Sequence, residues 1–117
     1  MSETHPLLQN KTPEALALYH AFVAAFREEG AAGVASTKSM LVVEGPDGHA
    51  AYITQLGKNF LHVVFPFSQS FPDNLCFQKI AQVPGQQQFN HHFRMLLPED
   101  VNDEVRAFMR RSLKPGR

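Results

Sequence analysis

Tryptophan is absent from this chain, and cysteine occurs once, as Cys76. A lone thiol closes no internal disulfide, so the fold must be held by its core. Neither sign of charge is in excess, since 11 basic and 11 acidic side chains give a formal net charge of zero. No global field draws in nucleic acid or an anionic membrane, and neither is expected as a partner. Long apolar runs are missing, and the N-terminus has no basic stretch followed by an apolar one. No segment is expected to span a bilayer or direct secretion, and the expected location is the cytoplasm. Nor is any catalytic signature completed. Ser36, Ser39, Ser68 and Ser70 lack a nucleophile-elbow context, and Cys76 has no adjacent histidine or cation, which makes it an inert thiol on an apolar strand.

Phenylalanine is what the chain has in quantity, ten in 117 residues. At this length folding buries roughly 60–70% of the surface exposed by the unfolded chain, enough for one domain with its own core. Most of the rings belong there. The run Phe65-Pro66-Phe67-Ser68-Gln69-Ser70-Phe71-Pro72 is the exception, because two prolines interrupt a strand and leave Phe67 and Phe71 anchored on a loop.

Residues 1–11 are polar and unpatterned and are expected as a flexible tail, ahead of a single α+β domain over 12–114. Thr12-Pro13-Glu14 supplies a capping hydroxyl, a first-turn proline and an acid at the positive end of the dipole. Ala15, Leu18, Tyr19, Phe22, Val23 and Phe26 recur at helical spacing, and Gly30 is placed to end the helix in a left-handed cap. Beyond Gly33 the pattern turns to strands: 39–44, 49–56 after the turn at Gly45-Pro46-Asp47-Gly48, 60–65, 75–80 and 87–97. The third is apolar on both faces except at His62 and reads as central. A last helix starts between Pro98 and Asp103, with Pro98 at a first-turn position or Asn102 as cap, and Val101, Val105, Phe108 and Ser112 on its buried stripe. The whole predicts an N-terminal helix, a five-stranded antiparallel meander and a C-terminal helix, with both helices on one face of the sheet.

The order of these elements, closed by His91-His92-Phe93-Arg94-Met95-Leu96 and then Pro98-Glu99-Asp100-Val101-Asn102-Asp103-Glu104, resembles a family of small bacterial domains of unknown function. Their layout is similar to that of the YdhG-like, frataxin-like α–β–α proteins. The resemblance covers nearly everything after Lys11 and implies the fold; it carries no established reaction.

Strand 87–97 holds the candidate site. Alternation sends Phe89, His91, Phe93 and Met95 one way and Asn90, His92 and Arg94 the other. His91 and His92 therefore cannot chelate one ion in regular β geometry, and neither a metal nor a cofactor is expected. His91 suits the core edge and His92 the surface. If the third and fifth strands flank a common neighbour, His62 shares a face with one of them at roughly 10 Å, a spacing for a small ligand. Asn90, His92 and Arg94 place donors at every second residue, able to hold a carboxylate, a phosphate or a base edge. Gln55, Lys58, Gln78 or Lys79 would join them if the helices lie on the opposite side.

Three functions follow as expectations. The first is a binding or protein-interaction module whose open sheet face takes a small anion or a protein partner, as a monomer or a homodimer, with Phe67 and Phe71 closing a pocket or an interface. The second is an enzyme using His62, His91 or His92 as general acid or base. The third is a frataxin-like iron binder, for which the acids at Glu14, Glu28, Glu29 and Glu99 to Glu104 are sparse. Arg106, Arg110, Arg111, Lys114 and Arg117 complement the last helix's dipole.

Overall fold

The computed structural model describes residues 6–46, 48–74 and 76–114. The expectations placed on Asp47, Leu75, Arg117 and residues 1–5 lie outside the described residues. Helix α1 spans Pro13–Glu28 and starts as its capping sequence dictates, with the Ala15 N–H donating to Thr12 Oγ1 at 3.1 Å. It ends in a Schellman pair: the Ala31 N–H donates to the Phe26 carbonyl and the Gly30 N–H to that of Arg27, with Gly30 at φ +122°. Ala15, Leu18, Tyr19, Phe22, Ala25 and Phe26 are its buried face, and Val23 is only partly covered. Before it, Pro6–Leu8 forms a 3-10 turn whose Leu8 is buried in the core, so the segment read as a tail contributes an anchor.

Six strands follow: β1 (Gly33–Ser36), β2 (Leu41–Gly45), β3 (Gly48–Leu56), β4 (Leu61–Phe67), β5 (Phe77–Gln82) and β6 (Phe89–Met95). All pairings are antiparallel and the spatial order is β1-β2-β3-β4-β6-β5. This corrects the five-stranded meander in two ways. A short edge strand precedes the first one expected, and the last strand inserts beside β4 and leaves β5 at the far edge. The exchange has a physical reason. Strand β4 buries Leu61, Val63, Val64, Phe65 and Phe67 and needs buried neighbours on both sides, and β6 offers Phe93, Met95 and the fully hydrogen-bonded His91. Strand β5 exposes Gln78, Lys79 and Gln82, residues that suit an edge. β4 is central, as expected.

Helix α2 (Asp103–Ser112) is capped by Asn102, whose Oδ1 accepts from the Val105 N–H at 3.0 Å. Between β6 and α2, Asp100 Oδ2 accepts from the N–H groups of Leu96 and Leu97 at 2.8 and 2.9 Å and locks the Pro98–Asp100 turn onto the strand end. Both helices send their rings to the same face of the sheet. Phe22 meets Phe65 and Phe93, Phe26 meets Phe65, and Phe108 meets Phe67 and Phe77. Full burial of a ring, as at Phe22, Phe26 and Phe65, stabilises the fold by about 1.5–3 kcal/mol. The helices are tied to each other where Glu29 accepts from Arg106 at 2.9 Å and Arg110 at 2.7 Å, with Glu28 3.0 Å from Arg106. These arginines hold the Glu29 carboxyl below its ordinary pKa. No helix among the described residues is long and apolar enough to cross a membrane.

Candidate functional site on the helix-free sheet face

Alternation on β4 puts Leu61, Val63, Phe65 and Phe67 in the core and turns His62, Val64 and Pro66 to the other face. Register carries that second face across the sheet. One row runs Ala35, Val42, Tyr52, Val64, His92, Lys79 through all six strands. The next sets Gln55 beside His62 and His62 beside Arg94. Val42 and Val64 are 1% and 7% exposed although neither belongs to the core cluster, so these two valines offer little apolar surface. The upstanding groups of the face are polar. Among the described residues the exposed large hydrophobics are Leu96 and Leu97, beyond the end of β6.

The insertion of β6 beside β4 brings His62 and His92 together. Nε2 of His62 lies 3.0 Å from Nδ1 of His92, a hydrogen bond between two imidazoles, where two strand spacings were expected from sequence. One ring donates and the other accepts, which requires both to be neutral or the pair to share one extra proton. Burial holds both rings below the ordinary histidine pKa. For His62 the charges of His92 and Arg94 add to that effect, and for His92 the charge of Lys79 does. Both charged neighbours are cations, and neither Arg94 nor Lys79 forms an ion pair with any described residue. Arg94 is steadied by a ring, its guanidinium carbon lying 4.6 Å from the centroid of Phe60. Gly57 makes that platform possible, because a Cβ there would overlap the Phe60 ring. Sequence reasoning missed this support; a glycine three residues before an aromatic in a tight turn was its signal. Asn90 stands farther along β6 and accepts from Gln88 at 3.0 Å through Oδ1.

The other candidates lie elsewhere. His91 is fully buried on the core side, as alternation requires. Its Nε2 accepts from the Phe71 N–H at 3.1 Å, so the ring proton sits on Nδ1 and is donated to the Phe89 carbonyl at 2.9 Å. Phe67, expected on a loop, completes β4 opposite Phe89 and is 1% exposed. Pro66 is tolerated because the β3 pairing stops at Tyr52 opposite Val64. Phe71 is on the loop but packs on Phe67, His91 and Phe108, with Arg111 over its ring. Neither ring stands on the helix-free face. Gln55 and Lys79 join that face; Lys58 sits in the β3–β4 turn, its carbonyl accepting from Thr12 Oγ1. Cys76 lies in the turn before β5, not on the strand, and burial together with the Glu104 carboxylate pushes its thiol up to about 12.

Among the described residues no group of three or more His, Cys, Asp or Glu is gathered as a metal site. What the face offers is donors: a guanidinium, an ammonium, an amide and an imidazole pair. Comparison with family models, with curated proteins and with solved structures gives no match.

Proposed function

We propose that this protein is a non-catalytic binding module of the cytoplasm that uses its helix-free sheet face to hold an anionic group, presented by a small ligand or by a protein partner. The observation that carries this reading is the gathering of two cations around the imidazole pair without a carboxylate among the described residues. Arg106 and Arg110 are neutralised by Glu28 and Glu29, whereas Arg94 and Lys79 flank the His62–His92 pair without a carboxylate from any described residue. Two unpaired cations on adjacent strands attract an anion, and each charge-assisted bond formed contributes about 1.5–3 kcal/mol. Asn90 extends the donor set along β6. Phe67, Phe71 and His91 support the face from the core side and are not ligands.

The histidine alternative keeps one specific support: the pair is neutral near physiological pH, as a general base must be. Each ring, however, uses a nitrogen on the other. The iron-binding alternative is weakened because Glu28 and Glu29 are engaged by arginines. The test is a thermal-melt panel with phosphate, sulfate and carboxylates on the full chain, with light scattering on the same samples. A melting shift for at least one anion, lost in Arg94→Ala/Lys79→Ala, supports the module. A monomeric mass together with no shift for any anion removes it.

A further inference from the structure

The contact between His62 Nε2 and His92 Nδ1, 3.0 Å long, holds one hydrogen. Whichever ring supplies it, the neutral pair keeps one N–H and one bare nitrogen among the two positions outside the contact, His62 Nδ1 and His92 Nε2. A proton added to the bare nitrogen leaves the internal bond intact. It turns both remaining nitrogens into donors and gives the pair one positive charge. A second proton would set two N–H groups head to head across the same short contact. The pair is thus built to gain one proton and no more.

We propose that the His62–His92 pair, flanked by Arg94 and Lys79, is a site for a tetrahedral oxyanion of the phosphate or sulfate class, and that the anion is bound together with one proton. This rests on the reading of the helix-free face as an anion-binding surface and gives that surface a chemistry. Arg94 stands directly across from His62, and Lys79 directly across from His92. Four nitrogen-bearing side chains on three neighbouring strands therefore cover a patch about 10 Å wide. A planar carboxylate is satisfied by one arginine fork. A tetrahedral oxyanion presents oxygens in several directions and can meet the guanidinium, the ammonium and the imidazole pair at once. Charge points the same way: the two fixed cations match a dianion, and the added proton turns the last bare imidazole nitrogen into a further donor for its oxygens.

The titratable and charged groups facing the pair are Tyr52 from β3, Lys79 from β5 and Arg94 from β6, with the neutral Gln55 beside His62 and His91 across the sheet. Among the described residues none is a carboxylate. Glu44 on β2 is engaged by His49 at 3.7 Å. The proton that charges the pair therefore has no resident counter-ion, and its uptake is favoured when an anion arrives.

The test is calorimetric titration of the full chain with sodium sulfate, whose charge is constant between about pH 8 and pH 6, so that any pH dependence belongs to the protein. Affinity is expected to rise as pH falls through that range, by up to about tenfold per pH unit, and titrations in two buffers of different ionisation enthalpy should show proton uptake of up to one per anion. In the double variant His62→Gln/His92→Gln the pH dependence disappears, and Arg94→Gln weakens binding at every pH by about tenfold or more. Acetate is expected to bind at least about tenfold more weakly than sulfate, without proton uptake. Inorganic phosphate against phosphoserine separates a free ion from a phosphate ester by which binds tighter. Sulfate binding with unchanging affinity and no proton uptake overturns this proposal and leaves the binding-module reading in place. Binding of no anion at any pH overturns both.

Discussion

Replacing His91 with leucine tests the most constrained polar group in the protein. The ring is fully buried, bonded at both nitrogens, and enclosed by Phe67, Phe71 and Phe77 at centroid distances of 5.1, 5.5 and 4.9 Å. Leucine fills much of the volume but leaves the Phe71 N–H without its acceptor, a loss of about 1–3 kcal/mol, and removes a donor from the Phe89 carbonyl for about 0.5–1.5 kcal/mol more. Some of that is offset by the better burial of an aliphatic side chain. The net expectation is about 2–3 kcal/mol at neutral pH, or about 10 °C in Tm for a domain of this size. The loss depends on pH with a definite sign. Burial, the larger cause, and the charge of His92 lower the folded pKa of His91 below 6.5 against the pull of its hydrogen bond to Phe89. Below about 6.5 the unfolded chain takes up a proton that the folded chain refuses. His91's contribution is therefore complete above that value and declines by about 1.4 kcal/mol per pH unit as pH falls toward the folded pKa. The leucine variant lacks this decline, so its deficit should shrink with acidity. Urea denaturation of both proteins at about pH 8, 7, 6 and 5 measures it. A deficit of the same size at every pH, or one under about 0.5 kcal/mol at pH 8, refutes the assignment.

Other consequences are as direct. Phe65→Ala removes a ring that touches Phe22, Phe26, Phe67 and Phe77, and should cost about 3–5 kcal/mol in a denaturant titration. A loss under about 1 kcal/mol would mean that this cluster is not the centre of the core. Cys76, with its thiol near 12 instead of 9.0, should alkylate about a thousandfold more slowly than an ordinary thiol at pH 8. Because burial is the largest single cause and stays in place without the carboxylate, Glu104→Gln should restore only part of that rate. Gly57→Ala displaces Phe60 and takes the platform from Arg94, so sulfate affinity should fall about two- to fivefold. An unchanged affinity would show that Arg94 needs no such support.

The parts of the fold legible in the sequence are those decided by neighbours in the chain. Thr12 and Asn102 cap their helices through bonds to residues three positions on, and Gly30 ends α1 through backbone geometry. Alternation likewise separated His91 from His92 correctly, because period two is a property of one strand. The misreadings share another cause. Gly33–Ser36 is too short to declare itself without β2 beside it, and nothing local in β5 or β6 says which of them lies against β4. That order is settled by which surfaces can be buried together. The meeting of His62 and His92 depends on it, and so the closest contact of the candidate site was the part hidden in the sequence. Phe67 illustrates the same limit: proline chemistry suggests a loop, and β6 supplies the partner that makes a strand.

The inserted strand divides the sheet into two blocks, each held by short connections. One is β1 to β4, and the other is the β5–β6 hairpin, closed by the Val83 N–H to the Gln88 carbonyl at 2.8 Å. Within the sheet the blocks meet along a single ladder, from Leu61 opposite Met95 to Phe67 opposite Phe89. Joining it carries the loop-closure entropy that the local hairpins avoid. His62 comes from one block; His92, Arg94 and Lys79 come from the other. A molecule gripped by all four is a rivet across the joint, and its presence would register as a longer native-state lifetime as well as a higher melting point.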